Sequence, residues 1–196
     1  MQYNMNEEFD SYYNKLADAY DSGRLFFTRN TDCLHNAAIM LLMLKKGTCI
    51  SMYCGAMSVF KNDFYTNITD EGPDADNQIR QRVSNAFRDF ISRDGTHIDI
   101  ILEKEPHNLT EDLIFDKSLL TSKSVEIYQI PDAIREHAGL NHYSFIDNSE
   151  ITRLESDPRE HSAICKIGTD PKVGSPAESF KKLRKLSRRV PARYLN

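Results

Sequence analysis

Asn141–Glu155 reads NHYSFIDNSEITRLE. Apolar and polar residues alternate through His142, Tyr143, Ser144, Phe145, Ile146 and Asp147, and again through Ile151, Thr152, Arg153, Leu154 and Glu155. A period of two is the pattern of a half-buried strand. Between the two runs, Asp147, Asn148 and Ser149 supply turn chemistry, because Asp and Asn tolerate left-handed backbone angles. The stretch is a predicted β-hairpin that displays a histidine at one end and an arginine and a glutamate at the other. Side chains at i and i+2 share a face of a strand, so Arg153 and Glu155 read as a pair. The pair is functional, or it is a cross-strand ion pair that holds the sheet.

Working outward, helices and strands alternate on both sides of this hairpin. Phe9, Tyr12, Tyr13, Leu16 and Tyr20 follow helical spacing over residues 6–22, with Gly23 as the stop. A second helix starts near Asn30-Thr31-Asp32 and runs to Lys45-Lys46-Gly47, where terminal lysines and a glycine are C-terminal signals. It is apolar nearly all round and is therefore predicted to be buried. Thr48–Tyr53 reads as a strand that runs into the small-residue segment Cys54–Phe60. Ile79, Val83, Ala86, Phe87, Phe90 and Ile91 mark another helix. His97–Glu103 is the clearest strand, with an apolar centre that implies burial on both faces, as in a parallel sheet.

A short helix over Glu111–Ser122 and a strand over Val125–Ile130 follow. One or two helical turns are expected over Asp132–His137, and a strand over Ser162–Ile167. The last element is an amphipathic helix over Ala177–Arg189. The fold class is α/β, with a mixed, mostly parallel sheet flanked by helices. Three segments result: an N-terminal helical segment (1–29), an α/β domain (30–178), and a basic C-terminal helix and tail (179–196) that packs on the same domain.

In this element order the chain resembles one half of the phospholipase D-like fold. The strand CISMYCGAMSVF, the helix ending FRDFISRDG, the strands THIDIILEK and SVEIYQI, and the end TDPKVGSPAESFKKLRKLSR match in turn, and NHYSFIDNSEITRLE takes the place of the family's signature. That signature is His-x-Lys, four residues, then Asp. His142 matches the histidine, whereas Ser144 stands at the lysine position and Ser149 at the aspartate position. The resemblance implies a homodimer in which a histidine from each half meets across a two-fold axis. One attacks phosphorus and the other protonates the leaving oxygen, while cations neutralise the phosphate. With both serines in place, it implies a degenerate site that binds a phosphorylated ligand or a partner, or a purely structural module. In the alternative of an active phosphodiesterase or nuclease, His142 is the nucleophile and Arg153 or Lys166 replaces the lysine.

Other site candidates sit at strand ends, where ligands collect in open α/β sheets. Tyr53, Cys54, Gly55 and Ser58 are expected to wall a pocket facing His142, with Glu103 at the corresponding end of the next strand. The ligand-binding set is then Ser144, Arg153, Glu155, Lys166, Tyr53, Gly55, Ser58 and Glu103. If His142 is structural instead, a backbone carbonyl or Asp147 would satisfy it.

The net charge of −4 conceals an asymmetry. From Ser179 onward there are seven basic and no acidic residues, which leaves 18 basic against 29 acidic before it, a net of −11. Lys181, Lys182, Arg184, Lys185, Arg188 and Arg189 form the candidate nucleic-acid or partner contact, the alternative being a helix that docks on the acidic body. The four cysteines (Cys33, Cys49, Cys54, Cys165) and the remaining histidines lack zinc-ligand spacing, so neither a metal nor a cofactor is expected. The cysteines read as buried small hydrophobes. The longest apolar run, Ala37–Leu44, is too short to cross a bilayer, and the first ten residues lack a secretory pattern, so a cytoplasmic protein is expected.

Overall fold

A computed structural model describes residues 6–28, 32–103, 109–138, 142–147, 150–157, 162–168 and 176–195. Helix α2 (Cys33–Lys46) is the element against which the others pack. Its sequence, CLHNAAIMLLMLKK, has no continuous polar face, and Leu34 and every residue from Asn36 to Leu44 are buried. The Asp32 carboxylate caps its N-terminus by accepting from the His35 backbone N–H at 2.9 Å. At the other end the Arg93 guanidinium donates to the carbonyls of Leu44, Lys45 and Gly47, groups that a helix terminus leaves unpaired. Helices α1 (Asn6–Asp21) and α3 (Pro73–Ser92) pack on α2 through Phe9 and Leu16, and through Ile79, Val83, Phe87 and Phe90.

Eight strands form one sheet: β1 (Phe26–Thr28), β2 (Cys49–Cys54), β3 (His97–Leu102), β4 (Val125–Gln129), β5 (Tyr143–Ile146), β6 (Ile151–Asp157), β7 (Ser162–Ile167) and β8 (Arg188–Arg189). Their order is β1-β7-β6-β5-β2-β3-β4-β8. Only β2–β3 and β3–β4 are parallel; the other five pairings are antiparallel. This corrects the expectation of a mostly parallel sheet. Strands β5, β6 and β7 follow one another through connections too short for a crossover, so they can pair only antiparallel. The helices α1, α2 and α3 cover one face. On the other face α5 (Pro176–Leu186) sets Phe180 and Leu183 among Tyr53, Ile101, Tyr128, Ile130, Tyr143 and Phe145. Helix α4 (Asp132–Ala138) links β4 to β5. Among the described residues no helix is long and apolar enough to cross a membrane.

Three local expectations are also corrected. Phe26–Thr28, inside the segment assigned to helix, is the edge strand β1, paired with Cys165–Ile167. Over Glu111–Ser122 the only helical turn is a 3-10 turn at Lys117–Thr121, started by the Asp116 carboxylate accepting from the Ser118 N–H at 2.8 Å. Such local side-chain bonds compete with an α-helix. The last helix stops at Leu186 instead of Arg189. Arg188–Arg189 pairs with β4, and the Val190 N–H donates to the Ile127 carbonyl at 2.8 Å, because the outer edge of β4 offers backbone partners that a further helical turn could not meet.

The β5–β6 hairpin forms where the alternation places it. Asp147 adopts a positive φ of 36°, and the Glu150 N–H donates to the Ile146 carbonyl at 3.1 Å across the turn; Asn148 and Ser149 lie outside the described residues. The Asp147 carboxylate does not meet His142. It accepts from the Thr48 N–H at 3.0 Å, the Thr48 hydroxyl at 2.8 Å and the Cys49 N–H at 2.7 Å, and so ties the hairpin turn to the start of β2. Hydrogen bonds to a charged group contribute about 1.5–3 kcal/mol, so Asp147→Ala is expected to lower unfolding stability by about that amount, read as a lower urea midpoint at unchanged slope.

Candidate functional site

At the C-terminal end of β2 a cavity of about 70 Å³ lies between the sheet and α2. Its wall includes Asn36 and Met40 from α2, Met52 and Cys54 from β2, and Gly55 and Ser58 from the segment that follows. His142, Ser144 and Arg153 of the hairpin region complete it. Met57, also in the wall, is fully buried with a left-handed φ of 58°, a conformation that costs energy for a side chain of its size. The β2 exit is therefore shaped around the cavity at a conformational cost.

Strand alternation decides which hairpin residues reach this cavity. Ser144 pairs across the ladder with Arg153, and Arg153 with Cys165, so these side chains share the α2 face. The Arg153 Nε donates to the Asn36 Oδ1 at 2.8 Å, which fixes the guanidinium against a buried amide. Ser144 is only 2 % exposed, and its hydroxyl has no hydrogen-bond partner among the described residues. The His142 Nε2 lies 2.6 Å from the Glu103 Oε2. Glu103 is itself held by its backbone: its N–H donates to the Cys54 carbonyl at 2.9 Å, and its carbonyl accepts from the Arg135 Nη1 at 3.1 Å. A carboxylate-oriented imidazole, an anchored guanidinium and a buried hydroxyl converge on one small space. Together they form a donor set suited to a small oxyanion.

The remaining expected residues divide. Gly55 and Ser58 line the cavity as predicted. Tyr53 does not: it points to the α5 face, although its ring meets that of His142 edge-on at 5.5 Å. Burial, and then the Glu103 carboxylate, push its phenol up to about 12, so it stays protonated at neutral pH. Lys166 pairs with Thr152 and Phe27, one residue out of step with Arg153, and so belongs to the opposite face. Arg153 meets Asn36; the side chain of Glu155, the partner expected for it, lies outside the described residues, as does Ser149. Of the cysteines only Cys165 is buried; Cys33 and Cys54 are half-buried and Cys49 is exposed, which corrects the expectation that all four are core residues.

Sequence reasoning missed Asn36. Its signal was present: an asparagine inside an otherwise apolar helical run must find a polar partner when buried.

A second polar cluster lies on the α5 face. Asp99 and Glu126 are direct neighbours on β3 and β4, an arrangement that is repulsive alone. Arg184 of α5 lies 3.4 Å from the centre of the Tyr128 ring and donates to the Glu126 Oε2 at 2.7 Å. His97 lies 3.1 Å from Asp99. His97, Asp99 and Glu126 offer ligand atoms within 4.8 Å of one another, a grouping the sequence spacing did not reveal. Arg184 and Arg189, however, already supply positive charge to that carboxylate pair. The Tyr128 hydroxyl, then Arg184, Arg189 and His97, outweigh burial and hold Glu126 below its ordinary value of 4.5.

No protein-family model matches the chain, and no curated protein matches it.

Two outcomes follow from these geometries. Ser144→Ala removes a buried hydroxyl with no described partner, so it is expected to leave the free protein equally stable or more stable by up to about 1 kcal/mol in urea. Because Glu126 is depressed in the folded state, its contribution is complete above its ordinary value and is lost as pH falls through the folded one. Urea midpoints measured from pH 7 to pH 3 are expected to fall less steeply for Glu126→Gln than for the wild type.

Proposed function

We propose that the chain is a phospholipase D-like protein with a degenerate catalytic site, whose cavity holds a phosphoryl group of a ligand or partner in a homodimer. The observation that supports this is the meeting of His142, Ser144 and Arg153 on one cavity. Ser144 stands where the family carries lysine, and Arg153, directly across the ladder, brings a positive charge to the same place. Arg153 is the replacement cation, because Lys166 belongs to the other face. A planar guanidinium can donate two parallel N–H bonds to two oxygens of a phosphate, which an ammonium cannot match. Its bond to Asn36 keeps it in place, so it serves to bind; it is less free than a lysine to follow charge as it moves in a reaction.

A second reading is favoured by one observation, the 2.6 Å contact of His142 with Glu103. A carboxylate holding the N–H of one ring nitrogen orients the imidazole and leaves the lone pair of the other nitrogen free to attack phosphorus. It also offsets the positive charge that the ring gains when the N–P bond forms, which is what a histidine nucleophile requires. In that reading the chain is an active phosphodiesterase, and the histidine that protonates the leaving oxygen comes from a second copy.

The two readings separate with a generic aryl phosphodiester and inorganic phosphate. The leading reading expects hydrolysis at the background rate for both the wild type and His142→Ala, and a phosphate-dependent rise in thermal midpoint for the wild type that is lost in Arg153→Gln. Hydrolysis by the wild type that disappears in His142→Ala establishes the second reading. No hydrolysis and no response to phosphate would remove both.

A further inference from the structure

The seven basic residues after Ser179 fall into two groups in the fold. Arg184 turns inward to Asp99, Glu126 and the Tyr128 ring. Lys181, Lys182, Lys185, Arg188 and Arg193 are exposed, and among the described residues none of them pairs with a carboxylate. Arg189 touches Glu126 at 3.5 Å but remains 68 % exposed. The helix therefore docks on the acidic body through Phe180, Leu183 and Arg184, and leaves its lysines unused in that contact.

This arrangement is not self-stabilising. Glu178 precedes Lys181 by three residues and Lys182 by four and offsets only part of their charge. Lys185 lies four residues from Lys181 and three from Lys182, so like charges are neighbours on the helix surface and repel. The helix dipole favours Lys185 in the last turn but fades before Lys181 and Lys182. Arginines on an edge strand discourage sheet-to-sheet aggregation, which accounts for β8 and not for α5. Six exposed cations lie within the segment 181–193, where α5 leads through one residue into β8. What remains unaccounted for is the anion opposite them.

We infer that α5 and β8 form a docking surface for the phosphate backbone of a nucleic acid, bound by charge and without base readout. A closely repeated anion is the counterpart of a closely repeated cation. Base readout by stacking needs exposed aromatic rings, and this segment has only Tyr194, half-buried with Arg193 against its ring. A lipid surface would need the apolar face of the helix, but Phe180 and Leu183 are buried in the sheet and Leu186 alone is exposed. A protein interface is depleted of lysine and rich in aromatics at its centre, the opposite of this composition. The rest of the chain, at −11, repels a polyanion and directs it to this segment. The surface lies across the sheet from the cavity, so the inference does not depend on what the cavity binds.

Fluorescence anisotropy on the full chain tests it, with a labelled mixed-sequence DNA duplex, a single-stranded RNA of equal length and phosphatidylserine vesicles. Salt is varied between about 50 and 200 mM, the range over which phosphate contacts lose most of their affinity. The wild type is expected to bind nucleic acid with little sequence preference and to weaken steeply with salt. The triple variant K181Q/K182Q/K185Q, all exposed positions changed to a good helix former, is expected to bind at least about ten-fold more weakly. Its log–log salt slope should be shallower by about 2–3, near 0.9 per lost phosphate contact for duplex DNA. Lys15→Gln, a change of the same kind on α1, should leave binding as it was. Absence of binding at the lowest salt, or equal affinity and slope for the triple variant, overturns the proposal. Tighter binding to the vesicles than to either nucleic acid, lost in the same variant, overturns it in favour of a lipid surface.

Discussion

The structure depends on burying helix α2 on all sides. A helix without a polar face is stable in water only when neighbours remove its whole circumference from solvent. Here α1 and α3 take its outer sides and the sheet takes the rest. Its ends must also be closed, because the last carbonyls of a buried helix cannot rely on water. Arg93 closes one end from beyond α3, and Asp32 closes the other. The same burial makes Asn36 exceptional: it is the polar side chain among the buried residues of α2, and its amide has to be satisfied from another element.

That requirement links the core to the candidate site. Arg153 answers Asn36 from β6, and in doing so a guanidinium is held at the cavity in one orientation. The cavity opens where β2 has a parallel neighbour on one side, β3, and an antiparallel one on the other, β5. The chain leaves the ends of β2 and β3 and enters β5 at this same edge, so connections diverge there and leave a gap, as at the switch points of open sheets. Glu103 and His142 meet across that gap because they extend the ends of β3 and β5. A cavity at this position follows from the topology, and the chemistry of its wall follows from the side chains that the topology delivers.

The two faces of the sheet handle charge differently. On the α2 face, polar groups are few and enclosed. On the α5 face, Asp99 and Glu126 repel one another across the ladder and are reconciled by Arg184, which also stacks on Tyr128. Arg184 thus fastens α5 to the acidic body, Arg189 touches the same Glu126 from β8 while staying mostly exposed, and the other basic residues of the segment keep their charge in solvent. This division explains how the body can be acidic and its C-terminal surface basic without the two neutralising each other.

The sequence by itself determined the local elements with strong periods: the buried helix, the amphipathic α3, the strand at His97–Leu102 and the β5–β6 hairpin. It also determined which residues had site-like chemistry, and His142, Glu103, Arg153, Ser144, Gly55 and Ser58 come together. These were legible because helix and strand periodicity are properties of neighbouring residues. Only the tertiary structure decided that the sheet is mainly antiparallel, that Phe26–Thr28 and Arg188–Arg189 are its two edges, and that Asn36 completes the cavity. It also placed Arg153 on the cavity and Lys166 on the opposite face, and moved Tyr53 to the α5 face. Each of these rests on register between segments far apart in the chain, and a shift of one residue reverses the face to which a strand side chain points.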